Sequence, residues 1–240
     1  MPDAKYPHLS KAPIAEAVVE FKVSGQPASS EAFERFAAAL GGGYPKLSKM
    51  EEASFKFLES GASATPVSRV GVRLASADDK DVVIGSIRSF VVSRLAPYQS
   101  WDLLVEKVKA TWPVYREHFL PGRVIRAGVR CINRIELGDS AADLDTVFRA
   151  GPQIPPDLPQ GLGQYSTRVV VPMGDAGVVV AIVQALEPGA KHVVLDIDAF
   201  VHLEVDPDDA TLFDRLELLH DVRNRAFFAS LHRNVWEKYL

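Results

Sequence analysis

A single cysteine, Cys131, is all that the 240-residue chain contains. It has no partner for an internal disulfide and lies in an apolar run, so a reducing compartment is the simplest expectation. No stretch approaches the roughly 20 unbroken apolar residues of a membrane-spanning helix. The opening MPDAKYPHLSKAP has no apolar run of signal-peptide length. These absences lead us to expect a soluble cytoplasmic protein with no membrane partner. Positive charge is not in excess either: 31 acidic residues outnumber 27 basic ones, giving a formal net charge of −4. That balance argues against nucleic acid as a partner bound through a broad positive field, while leaving room for a local basic strip.

Sharp catalytic patterns are also missing. The chain has no G-x-S-x-G, no H-E-x-x-H and no paired-cysteine zinc spacing. Gly41-Gly42-Gly43 lacks the lysine and following helix of a phosphate loop and reads as a helix stop. GLGQYS precedes a strand instead of opening a helix, which contradicts a dinucleotide fingerprint. No cofactor is expected, and the catalytic residues are unknown.

What the chain does have is 47% hydrophobic content, ample for a large core, and a clear alternation of element types. EAVVEFKV reads as a strand, and SSEAFERFAAAL as a short helix capped by Ser29 or Ser30. SFKFLES, SRVGVRLAS and the long run DVVIGSIRSFVVSRL read as further strands, with a hairpin turn at Asp78-Asp79-Lys80. SWDLLVEKVKATWPVYREHF has helical spacing, Ser100 as its cap and a kink expected at Pro113. The same order then recurs. A strand VIRAGVRCINRIEL, a short helical piece AADLDTVFRA and a Pro-rich loop from Gly151 to Gly163 lead to strands QYSTRVVVPM, GVVVAIVQAL and KHVVLDIDAFVHLEV. A last helix is expected from about Asp208 to Ala229, with Asp206 as cap and Pro207 at its first position.

The expected fold is therefore α+β. Two tandem halves, 1–120 and 121–240, each run strand, short helix, antiparallel strands, long helix, with the helices on one face of antiparallel sheet. Together they form one compact unit. Two arrangements fit: the halves join side by side into one wide sheet, as in TATA-box-binding folds, or each sheet grips its own helix. No residue-level repeat is visible between the halves.

Arginine recurs every fourth residue in VIRAGVRCINRIEL, a spacing that keeps one side of a helix and one side of a strand alike. The β-branched content of Val124, Ile125, Val129, Ile132 and Ile135 decides for a strand. One face then carries Arg126, Arg130, Arg134 and Glu136, while Ile125, Ala127, Val129, Cys131, Ile135 and Leu137 turn to the core. Asn133 falls on the core side and needs hydrogen-bond partners there. HVVLDIDAFVHLEV complements it, with an apolar odd face and His192, Asp196, Asp198, His202 and Glu204 on the even one.

Four readings compete for these charges, one structural and three functional. Cross-strand ion pairs on a solvated sheet face account for them blandly, at about 0.2–1 kcal/mol each. A surface for a polar ligand or protein partner, built from Arg126, Arg130, Arg134, Asp196 and Asp198, is the leading functional reading, because guanidinium forks suit carboxylates and phosphates. It makes the protein a non-enzymatic binding or interaction module. The enzymatic alternative takes Asp196-x-Asp198, with carboxylates about 6.6 Å apart on one strand face, as a divalent-cation site for phosphoryl or nucleotidyl transfer. A nucleic-acid-binding saddle is the third possibility. Elsewhere, Trp101, Trp112 and Phe119 keep helical phase with aliphatics and read as core, and His220 and Asp221 read as surface residues. Sheet edges leave a homodimer open.

Five stretches, APIAEAVVEF, SRLAPYQSWDLL, RAGVRCINRIEL, VVLDIDAF and the closing NRAFFASLHRNVWEKYL, together resemble a sporadically distributed family of uncharacterised bacterial proteins of similar length. They span nearly the whole chain in family order. The family's closing reads F-x-x-S-L-T, where this chain has Leu231-His232. The resemblance implies a single-unit protein of the bacterial cytoplasm and transfers no catalytic residue.

Overall fold

The computed structural model of the chain describes residues 6–25, 29–52, 55–58, 61–64, 68–137, 144–174 and 177–240, the side chains of 55–58 and 61–64 excepted. Strand β1 (Ile14–Ser24) is followed by helix α1 (Ser30–Leu40), strands β2 (Lys46–Glu52), β3 (Phe55–Leu58), β4 (Gly61–Ala64), β5 (Ser68–Ala75), β6 (Asp81–Ser86) and β7 (Ser89–Leu95), and helix α2 (Trp101–Phe119). Past Pro121-Gly122 come β8 (Arg123–Glu136), a 3-10 turn at Leu144–Thr146, β9 (Tyr165–Pro172), β10 (Val178–Leu186), β11 (His192–Val205), α3 (Thr211–Ser230) and the short α4 (Arg233–Trp236).

Nine of these strands form one antiparallel sheet in the order β2-β5-β6-β7-β1-β8-β11-β10-β9, and β3 and β4 pair separately. The join is β1 against β8, with Val19 opposite Val129 and Phe21 opposite Ala127. The halves thus meet side by side in one continuous sheet, the first of the two expected arrangements, and the α+β expectation holds. The helices pack on one face: α1 and α2 against β5, β6 and β7, and α3 against β8, β10 and β11. One continuous core runs beneath them, from Phe33 and Phe36 through Trp112 and Tyr115 to Leu216 and Leu219. In this core Trp112 lies edge-on to Phe21 at 4.9 Å and donates Nε1–H to the Pro207 carbonyl at 3.0 Å, tying α2 to the approach of α3.

Ser100 caps α2 as expected, its Oγ accepting from the Leu103 N–H at 3.3 Å. The helix continues through Pro113 as a single element. Several boundaries differ from the sequence reading. The run 81–95 is two strands, because Ser86 closes a tight turn: its Oγ accepts from Ser89 N at 2.9 Å and Arg88 N at 3.3 Å. No glycine or asparagine announces that turn; a serine hydroxyl does the same work. Strand β2, KLSKMEE, has too much charge to read as a strand, and it is an edge, where charge blocks further pairing. Helix α3 begins at Thr211, whose N–H bonds Asp209 Oδ1 at 2.8 Å, while Asp206 instead pairs with Arg123. The expected helical piece AADLDTVFRA is described only from Leu144, as the 3-10 turn, and the ends of SFKFLES lie outside the described residues.

The two helices of the first half come close to the sheet at Gly85. A Cβ there would stand 2.7 Å from Phe36 Cε1 and 2.9 Å from Phe119 Cε2, and both rings are buried. Packed rings have nowhere to retreat, so Gly85→Ala is expected to destabilise the protein by about 1–3 kcal/mol, read as a lowered urea midpoint with unchanged slope.

Candidate functional site

Strand β8 lies at the seam, fourth from the β9 edge of the sheet, with a neighbour from each half: β1 on one flank, β11 on the other. Its helix-facing side is Val124, Ala127, Val129, Cys131, Asn133 and Ile135, all buried. Asn133 is satisfied as the sequence requires, donating Nδ2–H to the carbonyls of Leu195 at 2.9 Å and Cys131 at 3.3 Å. One residue departs from the expected alternation. Ile125 is 38% exposed and Val124 takes its place in the core, because the pairing with β1 shifts register between Lys22 and Val23 and that with β11 between His202 and Val205. Such an irregularity turns the end of a strand by one residue.

The opposite, open face gathers the residues singled out from the sequence. Arg126, Arg130 and Arg134 project there with Glu20 of β1 and with Asp196 and Asp198 of β11. Arg126 does not pair with the residues facing it, Lys22 and His202. Its side chain leans along the strand, over Gly128, and reaches Glu20 at 2.5 Å with one nitrogen and Asp198 at 2.6 Å with the other. The guanidinium lies 4.3 Å from the centre of the Phe200 ring. Gly128 makes this route open: a Cβ there would stand 2.6 Å from Arg126 Nη1. Arg126 is consequently only 8% exposed, although it points away from the helices. Arg130 grips Asp196 with both ends of its fork, Nε at 2.8 Å and Nη2 at 2.5 Å. Arg134 stands exposed on the same face. Burial pushes the Asp198 carboxyl above its ordinary range, and the nearby Arg126 and Arg130 charges offset that only in part.

This geometry bears on each chemical reading. Asp196 and Asp198 share a face, yet both are engaged by guanidinium groups that a divalent cation would have to displace. Among the described residues no group of three or more His, Cys, Asp or Glu side chains gathers to hold a metal. Neutralised arginines also project little positive field, which weakens the case for nucleic acid. Among the described residues no helix is long and apolar enough to cross a membrane. Compared with protein-family models and with curated proteins, the chain matches none.

Two residues on α3 belong to a second, separate concavity that the sequence did not reveal. His220, expected at the surface, is stacked flat on Trp101, with centroids 4.3 Å apart and planes 5° from parallel. Trp101 in turn donates Nε1–H to Glu217 Oε2 at 2.8 Å, so it links α2 to α3 and is less deeply buried than Trp112. Arg223, one turn on from His220, is 5% exposed and forms no ion pair among the described residues. Helical spacing places Leu216, Leu219, Arg223 and Phe227 on one stripe, which was the available signal.

Removal of the Arg126 cation takes from the half-buried Glu20 and Asp198 their ion-pair partner, leaving Asp198 only the nearby Arg130 charge. Arg126→Met is expected to destabilise the protein by about 2–3 kcal/mol, below the cost for a fully buried pair because both acids keep some solvent. Gly128→Ala closes the route that the guanidinium takes. In urea unfolding the two changes are expected to be non-additive, the double variant costing little more than Arg126→Met alone.

His220 gives a pH signature. Burial, with the Arg223 charge adding to it, lowers its pKa from 6.5 to about 3. The unfolded chain therefore binds a proton below pH 6.5 that the folded one refuses, so this residue contributes a loss of stability as pH falls from 6.5 toward 3. His220→Phe keeps the stack on Trp101 and removes the proton. Unfolding free energies from urea titrations at about pH 7 and pH 5 are expected to differ less in the variant, by at most about 2 kcal/mol.

Proposed function

We propose that the chain is a non-enzymatic binding module whose open sheet face, around Arg126, Arg130, Arg134, Asp196 and Asp198, receives a protein partner or a polar ligand. The observation that supports this most is the fixed Arg126 fork, held by one acid from each half and laid on the Phe200 ring. A charged surface whose side chains are already ordered loses little rotamer freedom on docking, and ordering is a principal cost of association. Around this lattice stand charges free to choose a partner. Lys22 and Arg134 are exposed and enter no ion pair among the described residues, and Glu136 is exposed two residues on from Arg134. Mixed, uncommitted charges at the border of an ordered patch set orientation and rate of encounter more than affinity. On this reading the protein is cytoplasmic and bacterial, as the family it resembles implies.

The test is crosslinking mass spectrometry on protein purified gently from its host, alongside the double charge reversal Lys22→Glu with Arg134→Glu. Both positions are exposed, so folding is expected to survive. A partner that crosslinks to the open face and loses at least about 10-fold in affinity on reversal supports the proposal. A partner mapped to another face, unchanged affinity after reversal, or a chain recovered bare in every preparation counts against it.

A further inference from the structure

On the helix side of the sheet, between the start of α2, the middle of α3 and the segment Tyr6–Ile14, lies a cavity of about 430 Å³. That volume is within the range of small-molecule sites, about 300–1,000 Å³. Its lining includes the rings of Tyr98 and Trp101 and those of Phe227 and Phe228. Two polar residues line it from the core, Asn133 of β8 and Arg223 of α3.

Arg223 is the unusual one. It is 95% buried by its 5% exposure, it forms no hydrogen bond or ion pair with any described residue, and its Nε is sealed without an acceptor. Burial dominates the titration of Tyr98, Cys131 and His220, and the Arg223 charge acts on all three, which sets the guanidinium among them. A guanidinium does not escape burial by losing its proton. Left without an anion it is a standing cost to stability, of the kind that folded chains retain where a ligand removes it. The contrast with Arg126, both of whose terminal nitrogens meet a carboxylate, comes from the same chain.

Asn133 adds a second requirement. Its Nδ2 is committed to two backbone carbonyls, so the amide orientation is fixed, and its Oδ1 is buried with no donor. An occupant that satisfies both groups brings an anionic oxygen pair for Arg223 and one hydrogen-bond donor for Asn133.

We infer that this cavity is a binding site for a small monocarboxylate with an aromatic or compact apolar body, anchored by Arg223. The bidentate fit of guanidinium to carboxylate supplies the anchor, and the ring-lined walls supply the apolar contact. A single cation matches a single negative charge. The lining also carries Asp102 and Asp221, both exposed to solvent, whose charges disfavour any anion and a dianion such as a phosphate ester most. The site lies on the face opposite the charged lattice and does not depend on it.

The test is isothermal titration calorimetry of the full chain with benzoate, 3-phenylpropanoate and 4-hydroxybenzoate, with benzamide as the neutral comparison and inorganic phosphate as the non-aromatic one. At least one of the carboxylates is expected to bind and to perturb the fluorescence of Trp101, an effect lost in Trp101→Phe, while benzamide and phosphate do not bind at the same concentrations. Arg223→Met is expected to weaken carboxylate binding about 10- to 100-fold. It is also expected to raise the thermal midpoint of the ligand-free protein, because it removes a buried charge with no partner. That second readout separates a binding arginine from a structural one, whose loss would lower the midpoint. The inference is overturned if none of the three carboxylates binds up to about 10 mM. It is equally overturned if benzamide or phosphate binds as well as they do, if Arg223→Met leaves binding unchanged, or if that variant is less stable than the parent.

Discussion

The pairing of β1 with β8 governs this molecule. Setting Val19 against Val129 and Phe21 against Ala127 brings the two halves into one sheet, and it does so with one face apolar from edge to edge of the seam. A slip of one residue would exchange the faces of β8, putting Arg126, Arg130 and Arg134 under α3 and Val129 and Ile135 in water. The same register brings Glu20 opposite Gly128, where the Arg126 guanidinium lies. The charged lattice is therefore a product of the seam: one of its acids comes from the first half and two from the second.

Two arginines in this chain meet opposite circumstances. Arg126 is buried on the open face with carboxylates on both sides and an aromatic ring beneath, so its charge is spent within the fold. Arg223 is buried on the helix face with none among the described residues. The first has the properties of architecture that also offers an ordered surface, and the second those of a receptor group. Sequence alone ranked the first above the second, because a four-residue repeat of arginine in a strand is a stronger signal than one arginine on the apolar stripe of a helix.

Legibility in the sequence followed physical strength of signal. Long alternating runs such as β11 and capped helices such as α2 were readable, since period and cap chemistry are local. Gly128 was visible only as an interruption, and its purpose needed the diagonal reach of Arg126, which no strand template encodes. The exchange of Val124 for Ile125 in the core arose from a register shift against two partners at once, information that belongs to pairing and not to β8 itself. The stack of Trp101 on His220 joins residues on different helices, and neither helix announces the other.

The seam also has a kinetic side. β6 and β7 are neighbours in sequence and close over a two-residue turn, and β10 and β11 are nearly as local. By contrast β1 can meet β8 only after α1, the whole first-half meander and α2 have been made, so the loop closed by that contact is the longest in the sheet's centre. Closure of distant contacts is what slows folding, and a growing chain exposes β1's free edge until β8 arrives. The strand that begins the sheet is thus among the last to gain its full set of neighbours, and the interval before it does is when a stray edge-to-edge encounter has its opportunity.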